Sequence, residues 1–232
     1  MLNKVKVAIL DDHQTILDGY IARLKETPQI EVVGTAYYGS EIESLLAEHP
    51  VDVLLLDVNV RTSPNNSNPY PILHTIPQLL QTYPDTSILV ISMVGERALI
   101  RAVMEAGASG YVLKEDRTAI QQLGSVLLSI ASGGIYLSQQ AHQLLFRRQP
   151  PDTEPNLTPR QLEALSLCAA YPESTLMELA AKLGVMNSTA RNLLSSAYIR
   201  LGVRNRHTAV AKARQLGLIT PPESKILENQ ID

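Results

Sequence analysis

Five polar residues punctuate an otherwise apolar first half of the chain at matching places. Asp11 and Asp12 follow the apolar run 5–10, Asp57 follows 51–56, Ser92 follows 87–91 and Lys114 follows 109–113. Each run is short and nearly continuous, the pattern of a strand whose two faces are both covered in a parallel sheet. The carboxyl ends of such strands line one edge, where ligands bind. The five side chains therefore converge. Three carboxylates gathered there repel one another and need a cation, and a hard, oxygen-rich set suits Mg2+. A metal would let a phosphoryl group approach Asp57 despite the negative charge, and a carboxylate nucleophile yields an aspartyl-phosphate. Lys114 would pair with the phosphoryl oxygens, and Ser92 could hydrogen-bond one of them. Taken singly, Asp-Asp after a strand is a helix cap and a lysine there is a solvated end. Five such residues at matching strand ends are hard to explain that way.

Segments with helical spacing lie between these runs, at 16–25, 40–48, 72–82 and 97–106. Five βα units imply a doubly wound α/β domain with a five-stranded parallel sheet and right-handed crossovers. Two stretches break the regularity. Residues 62–71 read TSPNNSNPYP, an Asn/Pro/Ser-rich loop, and 149–156 read QPPDTEPN, an extended polar linker. Residues beyond Gly217 read as a frayed tail. The division expected is 1–130, a helical extension and linker over 131–156, an all-helical module over 157–219, and a tail over 220–232.

Charge divides the chain in the same way. Its net charge is −3, which alone argues against a nucleic-acid partner. Residues 1–125 hold nine Lys/Arg against fifteen Asp/Glu, whereas 157–219 hold eight against three. An acidic first half and a basic last module point to different partners. Cys168 is the only cysteine, so no disulfide closes within the chain and a cysteine zinc site is disfavoured. No run approaches the roughly 18 apolar residues of a membrane span, and the start lacks a signal-peptide core. The expectation is a soluble, cytoplasmic protein with no membrane partner.

In the last module, Thr158-Pro159-Arg160-Gln161 and Thr175-Leu176-Met177-Glu178 are capping boxes that open helices. Gly184 ends the second helix, and Asn187 or Ser188 can cap the next. That helix carries Ala190, Leu193, Leu194, Ala197, Tyr198 and Leu201 on one face. Ser188, Arg191, Asn192 and Ser195 point the other way. Two helices joined by a tight turn, the second polar and basic outside, form a helix-turn-helix pattern.

These residues closely resemble the response-regulator receiver family, through VAILDDH (7–13), LLLD (54–57), LVIS (89–92) and AGASGYVLK (106–114). The resemblance implies a flavodoxin-like receiver over residues 4–130. It makes Asp11 and Asp12 the acidic metal pair, Asp57 the phosphoacceptor, Ser92 the switch hydroxyl and Lys114 the invariant lysine. The backbone carbonyl of Asn59 becomes a metal ligand, and Tyr111 the aromatic that moves inward as the hydroxyl shifts toward phosphate. The C-terminal module resembles the LuxR-type helix-turn-helix, through LTPRQLEAL (157–165), ELAAKLGV (178–185) and the run beginning STARNLL. With GGIYLS (133–138), the whole looks like the NarL/FixJ subfamily of two-component regulators. A sensor histidine kinase is then an implied partner. The segment after Asp57 departs from the family pattern: it lacks the Met-Pro turn and is several residues longer. The loop 170–175 also looks longer than usual.

On this reading Arg191 and Asn192 enter the major groove, where Arg favours guanine edges and Asn adenine. Ser188, Thr189 and Ser195 reach phosphates or bases. Arg204 and Arg206 touch backbone phosphate or, equally well, serve as basic caps at a helix boundary. A last helix over 208–216 would pair two modules in a homodimer. The unphosphorylated receiver would cover the DNA-binding module, and phosphorylation would release it or promote dimerisation. Two alternatives stand beside this one. The first is a receiver that regulates DNA binding without phosphate. The second is a phosphatase using Asp57 as nucleophile, disfavoured because Asn59 stands where a leaving-group acid would be wanted.

Overall fold

The computed structural model describes residues 4–146 and 155–221. Strands β1 (Val5–Leu10), β2 (Ile30–Ala36) and β3 (Val53–Asp57) alternate with helices α1 (Gln14–Lys25) and α2 (Ile42–Glu48). A hairpin of β4 (Arg61–Ser63) and β5 (Asn66–Pro69) follows, then α3 (Ile72–Thr82), β6 (Ser87–Ser92), α4 (Arg97–Glu105) and β7 (Gly110–Leu113). Next come α5 (Arg117–Gln121), α6 (Leu123–Ala131), β8 (Tyr136–Leu137) and α7 (Gln139–Phe146). The last four helices are α8 (Pro159–Ala170), α9 (Leu176–Lys182), α10 (Asn187–Leu201) and α11 (Arg206–Gln215).

The main sheet runs β2-β1-β3-β6-β7-β8, and all its strands are parallel. The doubly wound design stands, with six strands in place of the five expected. The sixth, β8, is two residues long and comes from GGIYLS, too short for a periodicity to reveal. Helices cover both faces because alternate strand residues point opposite ways. Val7 and Ile9 join α1 and α6 in one core, while Ala8 and Leu10 join α2, α3 and α4 in the other. The second core continues into the C-terminal helices through Leu162, Leu165 and Ile219.

The stretch 62–71 is not a loop. Arg61 pairs with Pro69 and Ser63 with Asn66, closing a small antiparallel hairpin around Pro64-Asn65. Its base is fastened where Tyr70 packs on Gly39: a Cβ at Gly39 would lie 2.0 Å from the Tyr70 ring, so only glycine admits it. The supposed tail also differs. Leu218, Ile219 and Thr220 are buried, and they belong to the fold. Most of the linker 149–156 and nearly all of 220–232 lie outside the described residues.

In the C-terminal module both capping boxes form, at Thr158/Gln161 and Thr175/Glu178. The cap of α10 is Met186, which offers no side-chain acceptor, in place of Asn187 or Ser188. Asn187 and Ser188 are its first helical residues instead. The last helix begins earlier than expected, at Arg206, because Asn205 caps it by accepting from the Thr208 amide at 2.9 Å.

Candidate phosphoacceptor site and nucleic-acid interface

The strand register brings the acidic residues together. Leu10 pairs with Leu56, Asp57 with Ile91, and Ser92 with Leu113, so Asp11, Asp57, Ser92 and Lys114 share one sheet edge. Lys114 Nζ lies 2.7 Å from Oδ2 of Asp11 and 2.7 Å from Oδ2 of Asp57. Asp11 and Asp57 are 0% and 2% exposed. Burial pushes the Asp57 carboxyl up to about 6; the Lys114 charge pulls it down and Asp11 pushes it further up. Burial lowers the Lys114 ammonium, but the two carboxylates outweigh this and hold it above its ordinary value.

Carboxylate oxygens of Asp11 and Asp12 and a ring nitrogen of His13 lie within 4.8 Å of one another, a grouping able to hold a metal ion. His13 Nδ1 stands 2.7 Å from Oδ1 of Asp12. The backbone N–H of Asn59 donates to Asp57 Oδ1 at 3.2 Å, which folds the chain back over the carboxylate. Asn59 Oδ1 is buried with no hydrogen-bond partner among the described residues. A buried acceptor on the residue that bonds to the Asp57 carboxylate fits a hard cation, which would satisfy it. His13 is the third letter of DDH in the sequence, and its closeness to the acidic pair follows from the turn that the chain makes after β1.

Ser92 and Tyr111, the expected switch pair, both bond to the backbone of Val94. Ser92 Oγ accepts from the Val94 N–H at 2.9 Å, and the Tyr111 hydroxyl donates to the Val94 carbonyl at 2.7 Å. Tyr111 is wholly buried, so its ring already points inward. Burial pushes its phenol well up, with a hydrogen bond to Ser92 opposing.

On α10, Ser188, Thr189, Arg191, Asn192 and Ser195 are all exposed, while Ala190, Leu194, Ala197 and Leu201 are buried. The outer face is open, contrary to the expectation that the receiver would cover the module: the receiver side packs on α8 instead. Arg204 is exposed as well. Arg206 differs from it. Its Nη1 donates to the carbonyls of Ser174 at 2.5 Å and Pro172 at 3.4 Å, tying down the long loop between α8 and α9. That is the structural role weighed against phosphate contact.

Comparison with known proteins agrees with this geometry. The model of the response regulator receiver domain matches residues 7–123. The transcriptional regulatory protein DegU of Brevibacillus brevis is 28% identical over 94% of this chain and 96% of its own. YdfI of Bacillus subtilis, another transcriptional regulatory protein, is 28% identical over 93% and 98%. Among solved structures, a complex of the two-component response regulator RcsB with DNA is 25% identical with a TM-score of 0.57 over 94% and 100%. RcsB from Salmonella enterica serovar Typhimurium, bound to a promoter in the presence of a phosphomimetic, shares the fold with a TM-score of 0.64 at 23% identity over 90% and 98%.

Proposed function

The chain belongs to the response regulator receiver family, of the NarL/FixJ type, and from this we propose that phosphorylation of Asp57 controls DNA binding by α10 and so transcription. The observation that carries the proposal is the seat of Asp57: a buried carboxylate at a strand end, bonded to Lys114 and flanked by Asp11, Asn59 and Ser92. The protein accepts a phosphoryl group on itself from a sensor histidine kinase; it is not a turnover enzyme.

Asp11, Asp12, Asp57 and Asn59 would hold Mg2+, which supplies charge neutralisation at the incoming phosphoryl group. Asp57 contributes the attacking oxygen. Lys114 is placed to follow the new charge, because it already donates to the attacking carboxylate. Ser92 Oγ accepts from the Val94 N–H and keeps its own O–H to donate to a phosphoryl oxygen, so a rotation of Ser92 toward that oxygen would pull on the loop after β6. Arg191 and Asn192 would read base edges, with Ser188, Thr189, Ser195 and Arg204 on the backbone or nearby bases. Arg206 keeps its helix in place and contributes less to DNA. Two modules pairing as a homodimer would enlarge the contact. The division taken is 1–130 as the receiver, 131–156 as a helical extension and linker, 157–219 as the DNA-binding domain and 220–232 as a tail. The reading also places the protein in the cytoplasm. Among the described residues no helix is long and apolar enough to cross a membrane.

Incubation with Mg2+ and acetyl phosphate, followed by intact mass, tests the acceptor. Wild type should gain one phosphoryl group of about 80 Da, and Asp57→Asn should gain none. Equal gain by both would overturn the assignment. A second reading, regulation without phosphate, is favoured by the inward position of Tyr111. It predicts DNA affinity that does not change when the acceptor is loaded.

A further inference from the structure

Among the described residues the C-terminal module meets the receiver along α8, against β5, α3 and α4, and again at Gly217, and neither contact uses the outer face of α10. At the first, the β4–β5 hairpin and α3 take hold of α8. Asn66 Nδ2 donates at 3.0 Å to the carbonyl of Ala170, the last residue of α8. Helix ends leave such carbonyls without intrahelical partners, so this bond caps α8 from another part of the chain. Two turns earlier, Glu163 Oε1 lies 2.7 Å from Nδ1 of His74 on α3, with both side chains less than a tenth exposed. Arg160 reaches the other carboxylate oxygen. Burial raises the Glu163 carboxyl, but His74 and Arg160 together hold it below its ordinary value. Every residue of 161–170 is buried. A helix serving one small module would bury a single stripe. This one is covered all round because its far side lies on the receiver.

The second contact is at Gly217, just after α11. Its φ is +63°, and a Cβ there would lie 2.2 Å from Cγ of Glu96. Glu96 precedes α4 and stands four residues after Ser92. Gly217, which opens the buried segment 217–220, is thus seated on the same loop whose Val94 bonds to Ser92 and Tyr111.

We propose that the hairpin inserted after Asp57, together with His74 and Glu96, is a docking surface for the chain's own C-terminal module. It holds α8 and residues 217–220 and leaves the outer face of α10 free. The proposal rests on the functional reading above for what that free face binds. Control then acts on the angle at which the module is held. When Ser92 turns away from Val94, the seat under Gly217 loosens while the hairpin keeps α8, and the module pivots instead of detaching.

Hydrogen exchange on the full chain, read by mass spectrometry, tests this. The double variant Asn66→Ala/His74→Ala should speed exchange of α8 amides about tenfold or more, as buried partners are lost. Ser67→Ala, at an exposed position on β5, should leave them unchanged. Glu96→Ala, an exposed position that leaves the core intact, should speed exchange of 217–220 and not of α8. Unchanged α8 exchange in the double variant, or unchanged 217–220 exchange in Glu96→Ala, overturns the proposal. Phosphoryl uptake by each variant, from intact mass, reports the Asp57 site separately, so failure of docking and failure of the acceptor are told apart.

Discussion

The ammonium of Lys114 lies 2.7 Å from Oδ2 of Asp57, a carboxylate with almost no solvent of its own. The same ammonium bridges to Asp11 at 2.7 Å. One cation therefore holds together two buried acids that would otherwise repel, and the positive charge already stands where a phosphoryl group would arrive.

Removing that cation leaves two uncompensated buried carboxylates. Lys114→Met should destabilise the metal-free protein by about 3 kcal/mol at neutral pH. Mg2+ should restore more stability to the variant than to wild type, since it replaces the missing charge. Urea unfolding with and without Mg2+ checks both statements.

Asp57 gives the opposite sign. Its folded value of about 6 stands above the ordinary 3.8, so the folded state holds the proton more tightly. That contribution to stability is fully present below the ordinary value and is lost as the pH rises through about 6. Asp57→Asn should therefore stabilise the metal-free protein by about 2 kcal/mol at pH 7, with the gain fading toward about pH 4. Thermal unfolding across that range measures it.

Tyr111→Phe deletes the donor to a buried carbonyl. The Val94 carbonyl loses a 2.7 Å bond, and stability should fall by about 1 kcal/mol. If the phenol also couples the acceptor to the module, the variant should show a smaller change in DNA affinity on phosphorylation than wild type. Paired unfolding and DNA titrations separate the two effects.

The two basic residues on either side of the α10–α11 boundary should behave differently from the one on its outer face. Arg206→Ala should cost about 1 kcal/mol of stability, because two loop carbonyls lose their donor. Arg191→Ala should leave stability unchanged and weaken specific DNA binding about tenfold. Arg204→Ala should lower affinity on all sequences and reduce the salt slope by about one. Melting curves and salt-dependent titrations test all three.

The acceptor edge could be read from the sequence because buried parallel strands print as unbroken apolar runs. The residue that ends each run then falls at the same edge. Asp57, Ser92 and Lys114 were placed in this way, and the capping boxes at Thr158 and Thr175 marked two helix starts just as directly. The hairpin is hidden because its strands are three and four residues drawn from Arg, Thr, Ser, Asn and Pro, a composition that signals loop. Its order comes from Tyr70 on Gly39 and from Asn66 on Ala170, contacts distant in sequence. Residues 218–220 carry no signal of order for the same reason: burial of a short segment after a helix depends on what it lands on, here the core that Leu218 and Ile219 join. The pair His74–Glu163 joins residues 89 apart and carries no local signal.

The central claim is that the state of Asp57 sets DNA affinity. The direct measurement is a titration of one duplex, selected from a random pool by the chain itself, with the unphosphorylated protein, the acetyl-phosphate-treated protein and treated Asp57→Asn, all at one salt concentration. Tighter binding is expected of the phosphorylated wild type alone, with Asp57→Asn staying at the unphosphorylated level. Equal affinity of the phosphorylated and unphosphorylated wild type would contradict it and leave a DNA-binding protein whose receiver is governed by something other than phosphate.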